Sequence, residues 1–124
     1  MKKALSIKRL GKSFSYAIRG FFTTFKEEPN MQIHVMMAVL VIICGFIFKV
    51  SKLEWVFLIF AIGMVTSAEI INTSIENLVD LAVQKYDKQA EIAKDTAAAY
   101  VLILSITAAV IGLIIFVPKL IMLF

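Results

Sequence analysis

Residues 53–81, LEWVFLIFAIGMVTSAEIINTSIENLVDL, decide the fold of this chain. From Trp55 to Ala68 no residue carries a charge, and no turn signal separates that run from Glu69, Asn72, Glu76 and Asp80, so one helix carries both. A membrane span needs roughly 20 residues to cross about 30 Å of hydrocarbon. The apolar run satisfies this only if its helix continues through Glu69 toward Glu76, over residues 53–75. Its acids then sit near one membrane interface.

Two further stretches, 31–48 and 96–118, are as apolar. At about 1.5 Å per residue they cover about 27 Å and about 34 Å, enough to span with modest mismatch. The chain is 60% hydrophobic with a mean hydropathy of +0.89, far beyond the usual share in water-soluble domains. These features specify an all-α membrane protein with three transmembrane helices in a single domain, 1–124. The first apolar run begins near Met31, too late for a secretory signal, so the N-terminus is expected to be retained. Cys44 is the single cysteine and lies in an apolar run, where packing is its expected role. A net charge of +4 could indicate nucleic acid. However, Lys2, Lys3, Lys8, Arg9, Lys12, Arg19 and Lys26 cluster at the start, which suits an anionic lipid surface.

The same cations set the expected orientation. Short cytoplasmic connections are rich in Lys and Arg. The N-terminal segment and the connection with Lys85, Lys88 and Lys94 are therefore assigned to the cytoplasm, and the Lys49 to Glu54 link to the other side. Before the first span, Ile7, Leu10, Phe14, Ala17, Ile18, Phe21, Phe22 and Phe25 recur at the spacing of one helical face. Lys8, Arg9, Lys12, Tyr16 and Arg19 lie opposite, so residues 4–26 read as an amphipathic interfacial helix. That helix anchors the surface, and its cations can also help hold an anionic ligand. Glu27, Glu28, Pro29 and Asn30 are expected to break it.

On a continuous helix, Glu69, Asn72, Glu76 and Asp80 fall within an arc of about 80°. Like charges on adjacent turns repel, so the stripe requires a bound cation, a proton on one acid, or a base from another helix. Lys94 in the approach to the third span, EIAKDTAAAY, is one candidate, and Ala97, Ala98 and Ala99 let helices come close. Taken alone, Asp80, Asp87 and Glu91 read as solvated helix-end charges. Glu69 does not, because an ionisable group at span depth marks function by default. Gln32 and His34 read as interfacial residues, and Trp55 and Tyr100 as aromatic-belt anchors.

No P-loop, HRD, DFG, HExxH or GxSxG pattern occurs. Phosphoryl transfer nonetheless needs only carboxylates for Mg²⁺, cations for phosphate charge and a base for the attacking hydroxyl, and all three types converge here. The competing class is a small proton-coupled exporter with Glu69 as its proton site. Its acid belongs near mid-bilayer, whereas these acids run out into a loop.

The pattern E-x-x-N-[ST]-x-[IL]-E-x-x-x-D at Glu69, Asn72, Thr73, Ile75, Glu76 and Asp80, followed by A-K-D at Ala93 to Asp95, resembles the small bacterial integral-membrane lipid kinases. That family comprises diacylglycerol and undecaprenol kinases. The resemblance extends to R-x-x-K-x-x-x-Y at Arg9, Lys12 and Tyr16, to Glu28 and Asn30, and to the three spans. It implies that Glu69 is the general base, with Asn72 a polar organiser beside it. It further implies that Glu28 and Glu76 hold Mg²⁺ on ATP, and that Arg9, Tyr16, Lys85, Tyr86, Asp87, Lys94 and Asp95 contact the nucleotide. The lipid side is implied to involve Arg9, Glu69 and Ala98, and the assembly to be a homotrimer with shared sites. The E-E-x-N-x-x-x-H segment, the FKVSKLEW link and the GLIIFVPK ending look like the Gram-positive branch. Undecaprenol is therefore the preferred acceptor over diacylglycerol, with Ala98 in place of a serine as a weaker pointer.

Overall fold

A computed structural model describes residues 6–124, in which four helices follow one another: α1 (Ile7–Glu27), α2 (Pro29–Ile47), α3 (Lys52–Ala82) and α4 (Lys88–Ile121). Lys2, Lys3 and the expected helix start at Ala4 and Leu5 lie outside the described residues. The first helix starts where the Ser6 hydroxyl accepts from the Arg9 amide at 3.2 Å. It ends at a single extended residue, Glu28 (φ −109°, ψ 109°), because Pro29 disfavours helical geometry before it and is itself suited to open α2. The break expected over 27–30 is thus one residue long. The Gln32 side chain bridges it, donating to the Phe25 carbonyl at 3.0 Å. Ile7, Leu10, Phe14, Ile18 and Phe22 on α1 are exposed, an apolar face that is uncovered among the described residues and that a bilayer surface suits.

Three helices are long and apolar enough to cross a membrane: Pro29–Ile47, Lys52–Ala82 and Lys88–Ile121. The second has 31 residues and the third 34, so at about 1.5 Å per residue they reach about 46 Å and about 51 Å. Both outrun a hydrocarbon core of about 30 Å. The helix carrying span 53–75 runs on to Ala82 because INTSIENLVDLA contains no glycine or proline. The helix carrying span 96–118 begins at Lys88, where the Asp87 carboxylate caps the amides of Gln89 at 2.9 Å and Ala90 at 3.0 Å. The excess turns of α3 and α4 form a charged hairpin on the side that α1 occupies.

α3 is the central element and packs against α1, α2 and, most extensively, α4. Its buried seam, Leu58, Ala61, Val65, Ala68, Glu69, Asn72 and Thr73, alternates three- and four-residue steps, and its small residues allow close helix contact. At the far end Val50, Leu58 and Ile115 pack with Val41, Trp55, Ile111 and Phe116. There the Glu54 carboxylate closes a capping box with Ser51 and accepts from the Lys119 ammonium at 2.9 Å. This ties the start of α3 to the end of α4. Trp55, expected as an interfacial anchor, is half-buried and lies against Gly45 so closely that a Cβ there would enter its ring. The α2–α3 turn passes through Lys49 in the left-handed region (φ 52°). Cys44 is half-buried among these helices.

Candidate functional site

At the charged end of α3, Glu69 is 1% exposed, Thr73 5% and Asn72 7%, which makes them the buried polar residues of the span. Thr73 adds no demand, since its hydroxyl donates to the Glu69 carbonyl at 2.9 Å. Each of the three acids on the stripe has a different partner. The Glu69 Oε2 lies 3.6 Å from the His34 Nε2 of α2. The Asn72 amide donates to the Glu76 Oε1 at 3.2 Å. The Lys94 ammonium of α4 pairs with the Asp80 Oδ1. The repulsion that the spacing implied is therefore relieved turn by turn, by an imidazole, an amide and an ammonium in succession.

His34, expected as an interfacial residue, has its side chain 20% exposed and turned toward the acid. The start of α2 at Pro29 sets its register, and Met31, His34, Val35, Ala38, Val41 and Gly45 recur on the face turned toward the bundle. Because α2 is apolar on every face, no pattern in the sequence marks that face as the inward one. Gln32, one position off the stripe, is exposed and caps α1 instead. Glu28, at the α1–α2 break, is half-buried, and together with Glu76 it is close enough for its charge to act on Glu69. α1, α2 and α3 thus bring three carboxylates and one imidazole toward one spot.

Among the described residues no group of three or more His, Cys, Asp or Glu side chains is arranged to hold a metal unaided. The donor set fits Mg²⁺ delivered with phosphates, which takes one or two carboxylates and fills its remaining positions with substrate oxygens and water. Glu28 and Glu76 are such carboxylates. The Asn72 Oδ1 is buried without a hydrogen-bond partner among the described residues, an acceptor left open beside Glu76. A buried acceptor of this kind costs about 1–3 kcal/mol, so it marks a place where a ligand, water or ion completes the structure.

Two clefts open along the α3–α4 hairpin. One, of about 250 Å³, is lined by Asp80, Lys85, Tyr86, Asp87, Glu91 and Lys94 among others. In it the Tyr86 hydroxyl donates to the Glu91 Oε2 at 2.6 Å, and that bond to a carboxylate holds the phenol above its ordinary pKa. The other, of about 460 Å³, is walled by Ile71, Ile75, Ala93, Thr96, Ala97 and Tyr100, with Asn72 at its edge. Tyr100, expected as an aromatic-belt anchor, thus lines a cleft. Asp95 and Ala98 are exposed on α4, one beside Lys94 and the other one turn further. Arg9 and Tyr16 lie on the exposed α1, where the Arg19 guanidinium sits 5.7 Å from the Tyr16 ring. Among the described residues no hydrogen bond or ion pair joins either of them to Glu69.

The sequence of the chain is similar to those of known proteins. Undecaprenol kinase of Bacillus subtilis is 42% identical over 114 residues, covering 92% of this chain and 93% of that protein. Diacylglycerol kinase of Synechocystis sp. is 35% identical over 109 residues, covering 87% of this chain and 62% of that protein. Diacylglycerol kinase of Helicobacter pylori is 34% identical over 101 residues, covering 82% and 79%. The family model described as prokaryotic diacylglycerol kinase matches residues 15–116, which take in α2, α3, most of α1 and α4, and every acid of the stripe. With three candidate spans and that match, the chain is a membrane protein that belongs to the prokaryotic diacylglycerol kinase family.

Proposed function

We propose that this lipid kinase transfers the γ-phosphoryl group of Mg-ATP to the hydroxyl of undecaprenol, giving undecaprenyl phosphate. The observation that carries the reading is Glu69, a carboxylate buried on α3 one and two turns before Asn72 and Glu76; its place late in the apolar run supports setting it where a membrane alcohol's head group meets the cytosol. The 42% identity to an undecaprenol kinase supports the choice of acceptor. Glu69 takes the proton from the hydroxyl as it attacks, and Asn72 orders the groups beside it. Glu28 and Glu76 hold Mg²⁺, which when bound neutralises phosphate charge and aligns the γ-phosphate. Lys94 and Asp95 meet the nucleotide, with Lys85, Tyr86 and Asp87 on its adenine side and Arg9 and Tyr16 reaching it from α1. Arg9 and Ala98 border the lipid head group. The positive charge of the N-terminal segment and of the α3–α4 turn supports placing this end of the molecule at the cytoplasmic face. A homotrimer with sites shared between chains completes the assembly.

Diacylglycerol is the second reading, supported by the diacylglycerol kinases among the relatives. Purified protein in detergent, given Mg²⁺, ATP and either lipid, separates the two. Undecaprenyl phosphate is expected to form faster than phosphatidic acid. The reverse order would make diacylglycerol the acceptor, and failure to phosphorylate either lipid would overturn the kinase assignment.

A further inference from the structure

The Glu69 carboxylate is nearly sealed from solvent, and among the described residues the charges that act on it are Glu28, Glu76 and His34. The first two repel it. No cation from α1 or α4 reaches it, because Lys94 is engaged with Asp80 one turn beyond Glu76. The His34 Nε2 at 3.6 Å is the one group that draws on it, and that imidazole is itself 20% exposed. The separation exceeds the 2.7–3.2 Å of an N–H···O bond, so in this state the contact is electrostatic. A shift of about half an ångström would turn it into a hydrogen bond, the tightening that catalytic contacts undergo when substrate binds.

We propose that His34 is a positioning residue for Glu69: its Nε2–H, held from α2, fixes the carboxylate on α3 and aims it at the acceptor hydroxyl. The inference rests on the reading of Glu69 as the base. Its physical basis is that a general base must stand within hydrogen-bond reach of its proton, and that misplacement by about 1 Å can cost about 10²-fold in rate. The Glu69 side chain has three rotatable bonds, and among the described residues His34 is its ion-pair partner. The donor that holds it comes from another helix, so α2 and α3 must be in register for the base to work.

The test uses full-length protein in detergent and lipid micelles with Mg-ATP and undecaprenol. His34→Leu removes the N–H and retains an apolar fit, and His34→Gln returns an amide N–H near the same point. The expected result is a kcat lowered about 10- to 10²-fold in His34→Leu with the KM for ATP essentially unchanged, and most of the rate recovered in His34→Gln. In a Glu69→Gln background His34→Leu should cost nothing further, since the carboxylate it aims is gone. Should His34→Leu disturb folding, His34→Met carries the same comparison. Equal rates in wild type and His34→Leu would overturn the inference while leaving the kinase reading intact. So would a Gln variant no better than Leu, or an undiminished loss in the Glu69→Gln background. A wild type that phosphorylates neither undecaprenol nor diacylglycerol would overturn both.

Discussion

Glu69 is held in a place where a carboxylate is costly. It is buried, faces two other acids, and has one imidazole to balance it. Such a site is retained where the charge is used, and using it as a base makes it separable from its neighbours. Glu69→Gln preserves size and hydrogen bonding but cannot take a proton, so kcat should fall by about 10² to 10⁴ while ATP affinity holds, measured by turnover and nucleotide binding on one preparation. Collapse of ATP binding would place Glu69 with the nucleotide instead. Glu76 is half-buried and already bonded to Asn72, so Glu76→Gln keeps that bond and loses only the negative charge. The Mg²⁺ concentration giving half-maximal rate should then rise, and an unchanged metal dependence would remove Glu76 from the ligand set. The acids and Asn72 were legible from sequence because their spacing is internal to one helix. His34 was not, because its importance lies in a contact across two helices, and position near an apolar run's start says nothing about which way a side chain faces.

At the level of elements, hydropathy located the spans but not the helix ends. It measures which residues lipid accepts, whereas a helix continues until something breaks or caps it. Hence α3 runs through its polar turns to Ala82 and α4 begins back at Asp87's cap. The pairing of α2 with α3 depends on Gly45, where the Trp55 indole occupies the space a side chain would need. Because a fused ring cannot yield as a flexible chain end can, Gly45→Ala should force the helices apart and destabilise the fold by about 1–3 kcal/mol, read from unfolding in mixed detergent and denaturing detergent. Gly112→Ala on α4 is the control. Nothing lies within contact of its Cβ, so the better helix propensity of alanine should leave stability equal or raised by up to about 1 kcal/mol. Equal losses at both positions would mean that the α2–α3 approach is not set by Gly45. No sequence pattern marked this glycine, since its constraint is the neighbour's ring rather than its own backbone angle.

The molecule as a whole leaves two groups of residues apart. Glu69, Asn72, Glu76 and His34 gather between α2 and α3, while Arg9 and Tyr16 lie on α1, which among the described residues has an uncovered apolar face and no bond from either residue to that cluster. If one chain held a complete site, substrate would have to bridge that separation. If sites are shared in a cyclic trimer, α1 of one copy completes the cluster of another. Mixing inactive chains distinguishes these cases. Glu69→Gln and Arg9→Met proteins, each with little turnover alone, would be combined in equal amounts, dissociated in denaturing detergent and reassembled in lipid. With Glu69 and Arg9 of one site on different chains, about one site in four draws an intact residue from each, so activity should recover to about a quarter of wild type. With both residues on one chain every site carries a lesion, and the mixture should stay as inactive as its parts.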